Sequence, residues 1–251
     1  MIYFLIFIFG LAIGSFLNVV IYRLKTNESI LIGRSHCPKC GAILKWYDLI
    51  PVLSFLIQKG ECRYCQKKIS FQYPLVEIIT GLLFVLILSK FGFDLLITYY
   101  LLLITCFLIV IFVYDLRHYL ILDKIVFPAI IIILFYQVFI GNFLNTFLSA
   151  LLAGGFFLSL VIVSKGKWMG MGDVKFAILM GLILGWPNIL LALFLSFLSG
   201  AIIGIILIFF GKKGLKSQIP FGPFLTISTI FILFYGNQII EKFLIIDKIF
   251  K

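Results

Sequence analysis

Residues 95–117 read LLITYYLLLITCFLIVIFVYDLR. From Leu95 to Tyr114 no charge interrupts the run, and then come Asp115, Leu116 and Arg117. At about 1.5 Å per residue, such a run covers about 30 Å, the apolar thickness of a bilayer. Lipid offers no partner to backbone N–H and C=O groups, so a run of this kind is helical. It is a membrane span with a carboxylate at its end.

Outward from it, further apolar runs lie at roughly 1–22, 73–89, 125–140, 143–163, 174–187, 188–210 and 220–240. About eight transmembrane helices are expected. Gly141-Asn142 and Trp186-Pro187-Asn188 are turn signals between spans. The composition agrees: of 251 residues, 63% are hydrophobic and 12% charged. Soluble domains are about 45–50% apolar and about 25% charged. An ordinary soluble enzyme, a disordered chain and a secreted disulfide scaffold are excluded. The fold class is an all-α polytopic membrane protein embedded in a lipid bilayer. Residues 1–22 lack a basic n-region and are too long for a typical signal-peptide core, so they read as the first span. No 20-to-50-residue repeat is obvious.

The net charge is +11, from 21 Lys and Arg against 10 Asp and Glu. Cytoplasmic loops of membrane proteins collect basic residues. With the N-terminus outside, the inside loops are 23–72, 115–124, 164–175 and 211–219, and they hold 17 of the 21 basic residues. Lys90, Lys242, Lys248 and Lys251 remain outside. An N-out, C-out topology follows, and the basic excess is explained without any nucleic-acid partner.

The one sizeable polar segment, 23–72, contains Cys37-Pro38-Lys39-Cys40-Gly41 and Cys62-Arg63-Tyr64-Cys65. Two C-x-x-C pairs at this spacing suit a tetrahedral zinc site on Cys37, Cys40, Cys62 and Cys65. A segment of this size has little core of its own, and a metal staple would supply what is missing. Two disulfides are the alternative, disfavoured on a reducing cytoplasmic face. His36 reads as a surface histidine, and Cys106, within a span, as a small buried hydrophobe. The expected division is a first transmembrane helix (1–22), a cytoplasmic four-cysteine domain (23–72) and a membrane-embedded catalytic domain (73–251).

Among the ten acidic residues, Glu28, Asp48, Glu61, Asp94, Glu241 and Asp247 fall in loops or the tail and read as solvated. Asp115 and Asp173 differ, because both fall at the inside end of a span. Two carboxyls sharing a site split their pKa values, so that one keeps a proton and the other accepts one from water. That is the chemistry of an aspartic protease. Gly170 and Gly172 precede Asp173 closely, and small residues beside it let a substrate backbone approach. The alternatives are structural: Asp173 caps the sixth span, and Asp115 pairs with Arg117 or Lys175. Asp123 is a weaker catalytic candidate. Glu77 faces the bundle interior, for a structural or a functional reason.

Several stretches together resemble the bacterial type IV prepilin peptidases, of the GxGD aspartic protease class. They are Gly14-Ser15-Phe16-Leu17-Asn18 through Tyr22-Arg23-Leu24, the two C-x-x-C pairs, Trp46-Tyr47-Asp48-Leu49-Ile50-Pro51 and Tyr73-Pro74-Leu75-Val76-Glu77. Asp115-Leu116-Arg117, Gly170-Met171-Gly172-Asp173-Val174-Lys175 and Ile219-Pro220-Phe221-Gly222-Pro223 complete the set. The chain departs from the family at Lys25, where Pro is common, and at Leu122, where Ile-Pro-Asp is common.

The resemblance implies catalysis by Asp115 and Asp173, with Gly170, Gly172 and Lys175 in support. It implies type IV prepilins or pseudopilins as substrates, a cytoplasmic-membrane location, and N-methylation of the product with S-adenosylmethionine as donor. No residues are expected for the methyl donor. Leader cleavage without methylation is the near alternative. A transporter, or an assembly scaffold with a zinc-stabilised loop, is the more distant one.

Overall fold

The computed structural model describes residues 1–30, 32–211, 214 and 218–249, the side chains of 243–249 excepted. Lys212, Lys213, Lys216 and Lys251, which enter the charge count, lie outside the described residues, as do the side chains of Asp247 and Lys248. Each apolar run forms a helix: α1 (Ile2–Thr26), α3 (Gln72–Phe91), α4 (Leu95–His118), α5 (Asp123–Phe139), α6 (Phe143–Ser164), α7 (Met171–Leu184), α8 (Asn188–Phe209) and α9 (Gly222–Ile249). A short helix, α2 (Leu53–Ile57), lies in the first loop. Among the described residues there is no strand beyond two isolated bridges.

Among the described residues six helices (α1, α3, α4, α6, α8 and α9) are long and apolar enough to cross a membrane, which makes this a multi-pass membrane protein. The expectation of about eight spans meets two shorter helices. α5 has 17 residues and α7 has 14. Fourteen residues rise only about 21 Å, short of the roughly 30 Å apolar layer. α7 is short because it is enclosed by protein: Val174, Phe176, Ala177, Leu179, Met180 and Leu182 are all buried, against α5, α6, α8 and α9.

The chain divides into two units, residues 1–110 and 111–251. In the first, α1 packs on α3. A Cβ at Gly10 would lie 2.6 Å from the Gly81 Cα, and one at Gly14 2.6 Å from the Glu77 Cα. One turn further, the Asn18 amide donates to the Tyr73 carbonyl at 3.1 Å. Numbers rise along one helix as they fall along the other, so the pair is antiparallel. Small residues let the two backbones nearly touch, as membrane helix pairs require when lipid offers no hydrophobic drive.

In the second unit, α6 and α7 form the corresponding pair. Gly181 faces the Ala150 Cα and Gly154 faces Ile178 Cγ1, each at 2.5 Å from a notional Cβ. α5 is tied to the far end of α7 by Gln137, whose amide donates to the Leu182 carbonyl at 3.0 Å. The turn predicted at Trp186-Pro187-Asn188 is present, with Gly185 at φ +66° and a cis Trp186–Pro187 bond. Phe157, Phe197, Phe221 and Phe224 cluster with ring centroids 5.1–6.2 Å apart and fix the start of α9.

Candidate active site and metal centre

Asp115 sits in the last turn of α4 and is 4% exposed. Its Oδ2 accepts the backbone N–H of Gly222 at 2.9 Å. Gly222 opens α9, so this N–H is one of the donors a helix start leaves without an intrahelical partner. A Cβ at residue 222 would stand 2.5 Å from Asp115 Oδ2 and 3.1 Å from its Cγ. Only glycine lets the amide approach this carboxyl.

Asp173 is the third residue of α7 and half-buried. Its Oδ2 accepts the Gly170 N–H at 3.1 Å, which caps the helix as one of the structural alternatives required. The same carboxyl also interacts electrostatically with Asp115. Capping and pairing are therefore not rivals. The cap holds the carboxyl that acts electrostatically on Asp115.

The remaining candidates separate. Lys175 Nζ donates to Asp123 Oδ1 at 2.6 Å and lies 5.5 Å from the centroid of the Phe127 ring, so its acidic partner is Asp123 rather than Asp115. Gly172 packs against Ile121, whose Cβ would lie 3.0 Å from an added Cβ, so its smallness serves a contact within the protein. Beside Gly170 the Asp173 Oδ2 lies 3.8 Å from a notional Cβ. The residue that sequence reasoning missed as part of the site is Gly222. Its signal was the Pro-Phe-Gly-Pro stretch, which reads locally as an ordinary turn.

In the first unit, the Sγ atoms of Cys37, Cys40, Cys62 and Cys65 all lie within 4.8 Å of one another, and all four are free thiols rather than disulfides. A ZnS4 tetrahedron with bonds of about 2.3 Å has edges of about 3.8 Å, so the cluster is nearly the size of such a site. The four cysteines are positioned to bind a metal ion, and neither His36 nor Cys106 belongs to the cluster. Burial works against ionising Cys37, but the Lys39 and Cys40 amides and the Cys62 and Cys40 thiols overcome it and bring the thiol to about 7.

Each cysteine pair forms the same backbone knuckle. Cys37 N–H donates to Ala42 O and Gly41 N–H to Cys37 O, each at 2.9 Å. Twenty-five positions on, Cys62 N–H donates to Lys67 O at 2.9 Å and Gln66 N–H to Cys62 O at 2.8 Å. The bridges His36–Ile43 and Glu61–Lys68 repeat the same offset. A short structural repeat therefore exists where none was apparent, because it lies in backbone hydrogen bonds and only the two cysteines recur.

Asp48 corrects a second expectation. It is not solvated: its side chain is 3% exposed. It takes Arg63 Nε at 3.1 Å, Gln58 Nε2 at 3.2 Å, Tyr64 OH at 3.0 Å and the Lys45 N–H at 3.1 Å. Arg63 also stacks on Tyr47, 4.7 Å from the ring centroid. Glu77 has a structural role, since its Oε2 accepts the Val52 N–H at 2.7 Å and so holds a residue whose φ is +61°. Arg23, buried at the end of α1, donates to the carbonyls of Ser29, Ile30, Ile32, Gly33 and Arg34 at 2.8–3.3 Å.

Fold and site together define a multi-pass helical membrane protein with four cysteines positioned to bind a metal ion and two aspartates at helix ends that interact electrostatically. Residues 8–91 match the bacterial peptidase A24 N-terminal domain, and residues 102–205 match the type IV leader peptidase family. A prepilin leader peptidase/N-methyltransferase of Legionella pneumophila is 33% identical over 96% of this chain and 94% of its own length. One of Bacillus subtilis is 33% identical over 96% and 97%, and one of Pseudomonas aeruginosa 32% over 94% and 91%. No solved structure matches. The chain belongs to the type IV leader peptidase family, and is a membrane peptidase.

Proposed function

We propose that this chain removes the leader peptides of type IV prepilins and pseudopilins, with Asp115 and Asp173 as the catalytic pair. The observation that carries the reading is the Asp115 carboxyl, buried at the end of α4 and held by the Gly222 amide, on which Asp173 acts electrostatically from the start of α7. Two like charges sharing one site cannot both ionise freely, so in this reading the pair holds one proton. The ionised member takes a proton from water. The protonated member donates a hydrogen bond to the scissile carbonyl, and the hydroxide adds to its carbon. Collapse breaks the C–N bond and passes a proton to the departing amine, leaving the leader with a carboxyl end.

Both aspartates lie at helix ends, Asp115 at the end of α4 and Asp173 at the start of α7. That position suits a cut between a polar leader and an apolar helix. The charge distribution supports the cytoplasmic side of the inner membrane, with N-out and C-out termini. Lys175, tied to Asp123, supports the site by holding α5 and α7 together at that end.

In this reading Cys37, Cys40, Cys62 and Cys65 bind zinc, which organises the loop and takes no part in hydrolysis. The functional division is the first span (1–22), the metal loop (23–72) and the peptidase domain (73–251). The second activity is methylation of the new N-terminal amine, for which S-adenosylmethionine would supply the methyl group. The relatives' names carry this half of the proposal. The described residues contain no strand, hence no glycine-rich strand-to-helix turn for such a donor, and no residue is assigned to it.

Intact-mass analysis of a prepilin co-expressed with the wild type or with Asp173→Asn tests the proposal. Loss of the leader mass only with wild type, with one methyl group added, is expected. An unprocessed prepilin in both strains, with folded enzyme present, favours a transporter or a scaffold instead.

A further inference from the structure

Helix α2 presents apolar side chains outward. Leu56 is 63% and Ile57 74% exposed, and Leu53 is exposed beside them. Trp46, before α2, and Phe71, after it, are exposed as well. Leu53, Leu56 and Ile57 share one face of α2 by their spacing, and the Phe71 ring meets Phe55 of the same helix with centroids 5.7 Å apart. Burying each such side chain is worth about 1.5–3 kcal/mol. A clustered apolar edge in a polar loop marks a contact surface.

The depth of this edge identifies what it contacts. Glu77 lies five residues into α3, about 7.5 Å beyond its first residue. α3 is itself long and apolar enough to cross a membrane. The Glu77 carboxylate accepts the Val52 N–H and is also hydrogen-bonded by Ser15, well inside α1. The residue that precedes α2 is thus held level with interior turns of two spans. α2 begins one residue later.

The backbone there suits an apolar medium. Ser54 N–H donates to Ile50 O at 3.0 Å and Leu56 N–H to Val52 O at 3.1 Å. Gln58 N–H donates to Ser54 O at 3.0 Å and Gly60 N–H to Phe55 O at 2.9 Å. Backbone amides with internal partners can enter lipid at little cost. Lys45 and Lys59, close in sequence to Trp46 and to the end of α2, are exposed in the same loop. Basic residues flanking apolar ones are the pattern of elements that lie in a membrane interface and attract anionic headgroups.

We propose that α2, with Trp46 and Phe71, is a lipid-seated edge. It inserts into the headgroup–acyl boundary where α1 ends and α3 begins, and its basic neighbours bind anionic headgroups. The metal loop is thereby seated on the membrane rather than standing free in water. This seating needs only the membrane character of α1 and α3 and stands apart from the peptidase reading.

The test uses the full chain in vesicles of phosphatidylcholine and phosphatidylglycerol, some brominated along the acyl chains. One protein keeps Trp46 alone, through Trp168→Phe and Trp186→Phe. A second adds Trp46→Phe and Leu56→Trp. Both tryptophans should emit at short wavelength and lose most of their emission to bromine placed about 5–10 Å below the headgroups. A third protein, with Lys67→Trp as its sole tryptophan, should emit as in water. Retention of bound zinc reports folding, and if Leu56→Trp loses it, the native Trp46 carries the test. Water-like, unquenched emission from Trp46 would overturn the proposal. So would shielding that develops only when an apolar prepilin peptide is added, because the edge would then be a protein-docking face.

Discussion

Replacing Gly222 by alanine adds one methyl group and removes nothing. That methyl carbon would stand 2.5 Å from Asp115 Oδ2. A comfortable separation is about 3.5 Å, so the carboxyl has to retreat by about 1 Å. The hydrogen bond from the 222 amide, now 2.9 Å, is then lost or bent out of line. A hydrogen bond to a charged group is worth about 1.5–3 kcal/mol, which is about 10- to 150-fold in rate if the transition state uses it fully. A misplacement of about 1 Å at a reacting group costs on the order of 100-fold by itself.

The two effects share one cause and do not add. A fall in kcat of about 100-fold is expected for Gly222→Ala, with a smaller change in KM. Helix propensity works the other way, since alanine is favoured over glycine by about 0.5–1 kcal/mol inside a helix. The thermal midpoint should therefore change little. The assay is leader removal from a purified prepilin in detergent, followed by mass, beside a melting curve of each enzyme. Unchanged kcat in the folded variant would refute the idea that the Gly222 amide positions Asp115.

Asp115→Asn and Asp173→Asn should each reduce cleavage by about 10²–10⁴-fold while leaving the melting curve and the bound metal as in wild type. Chelation, or Cys37→Ser with Cys62→Ser, should remove one zinc per chain by elemental analysis and unfold the 37–68 loop to limited proteolysis, while residual cleavage by the aspartate pair persists. Gly181→Val should lower stability by about 1–3 kcal/mol, read as a lower melting temperature, because its Cβ would meet the Ala150 backbone at 2.5 Å. Asp48→Ala should cost about 1–3 kcal/mol of loop stability by releasing Arg63, Tyr64 and Gln58, read as faster zinc loss to a chelator.

The helices were legible because a span must carry enough apolar residues in sequence, and that requirement is local. The cysteine centre was legible because metal chemistry dictates the spacing within each pair. The start of α7 was less so: the apolar run begins at Val174, but the helix begins at Met171, where Asp173 supplies the cap that apolarity does not register. Asp48 was misread because its setting is made by residues up to sixteen positions later, which local polarity does not reveal. Gly222 escaped for the same reason over a longer reach, since its partner lies 107 residues away. Glu77 stood open because the sequence shows a buried carboxylate without its partner, and the partner is a backbone amide that any residue type could carry.

Arg23 belongs beside the cysteines as an organiser of the loop. It gathers five carbonyl oxygens around one guanidinium, much as a bound cation would, at the point where the chain leaves α1. With a metal ion on the cysteines, the loop would have two positively charged organisers of different permanence. One is covalent, part of the chain itself. The other, at the cysteines, arrives from solution and can be withdrawn. Starvation for metal would therefore undo the knuckles yet leave Ser29, Ile30, Ile32, Gly33 and Arg34 held to Arg23, a half-built state from which reloading need not start from a random chain.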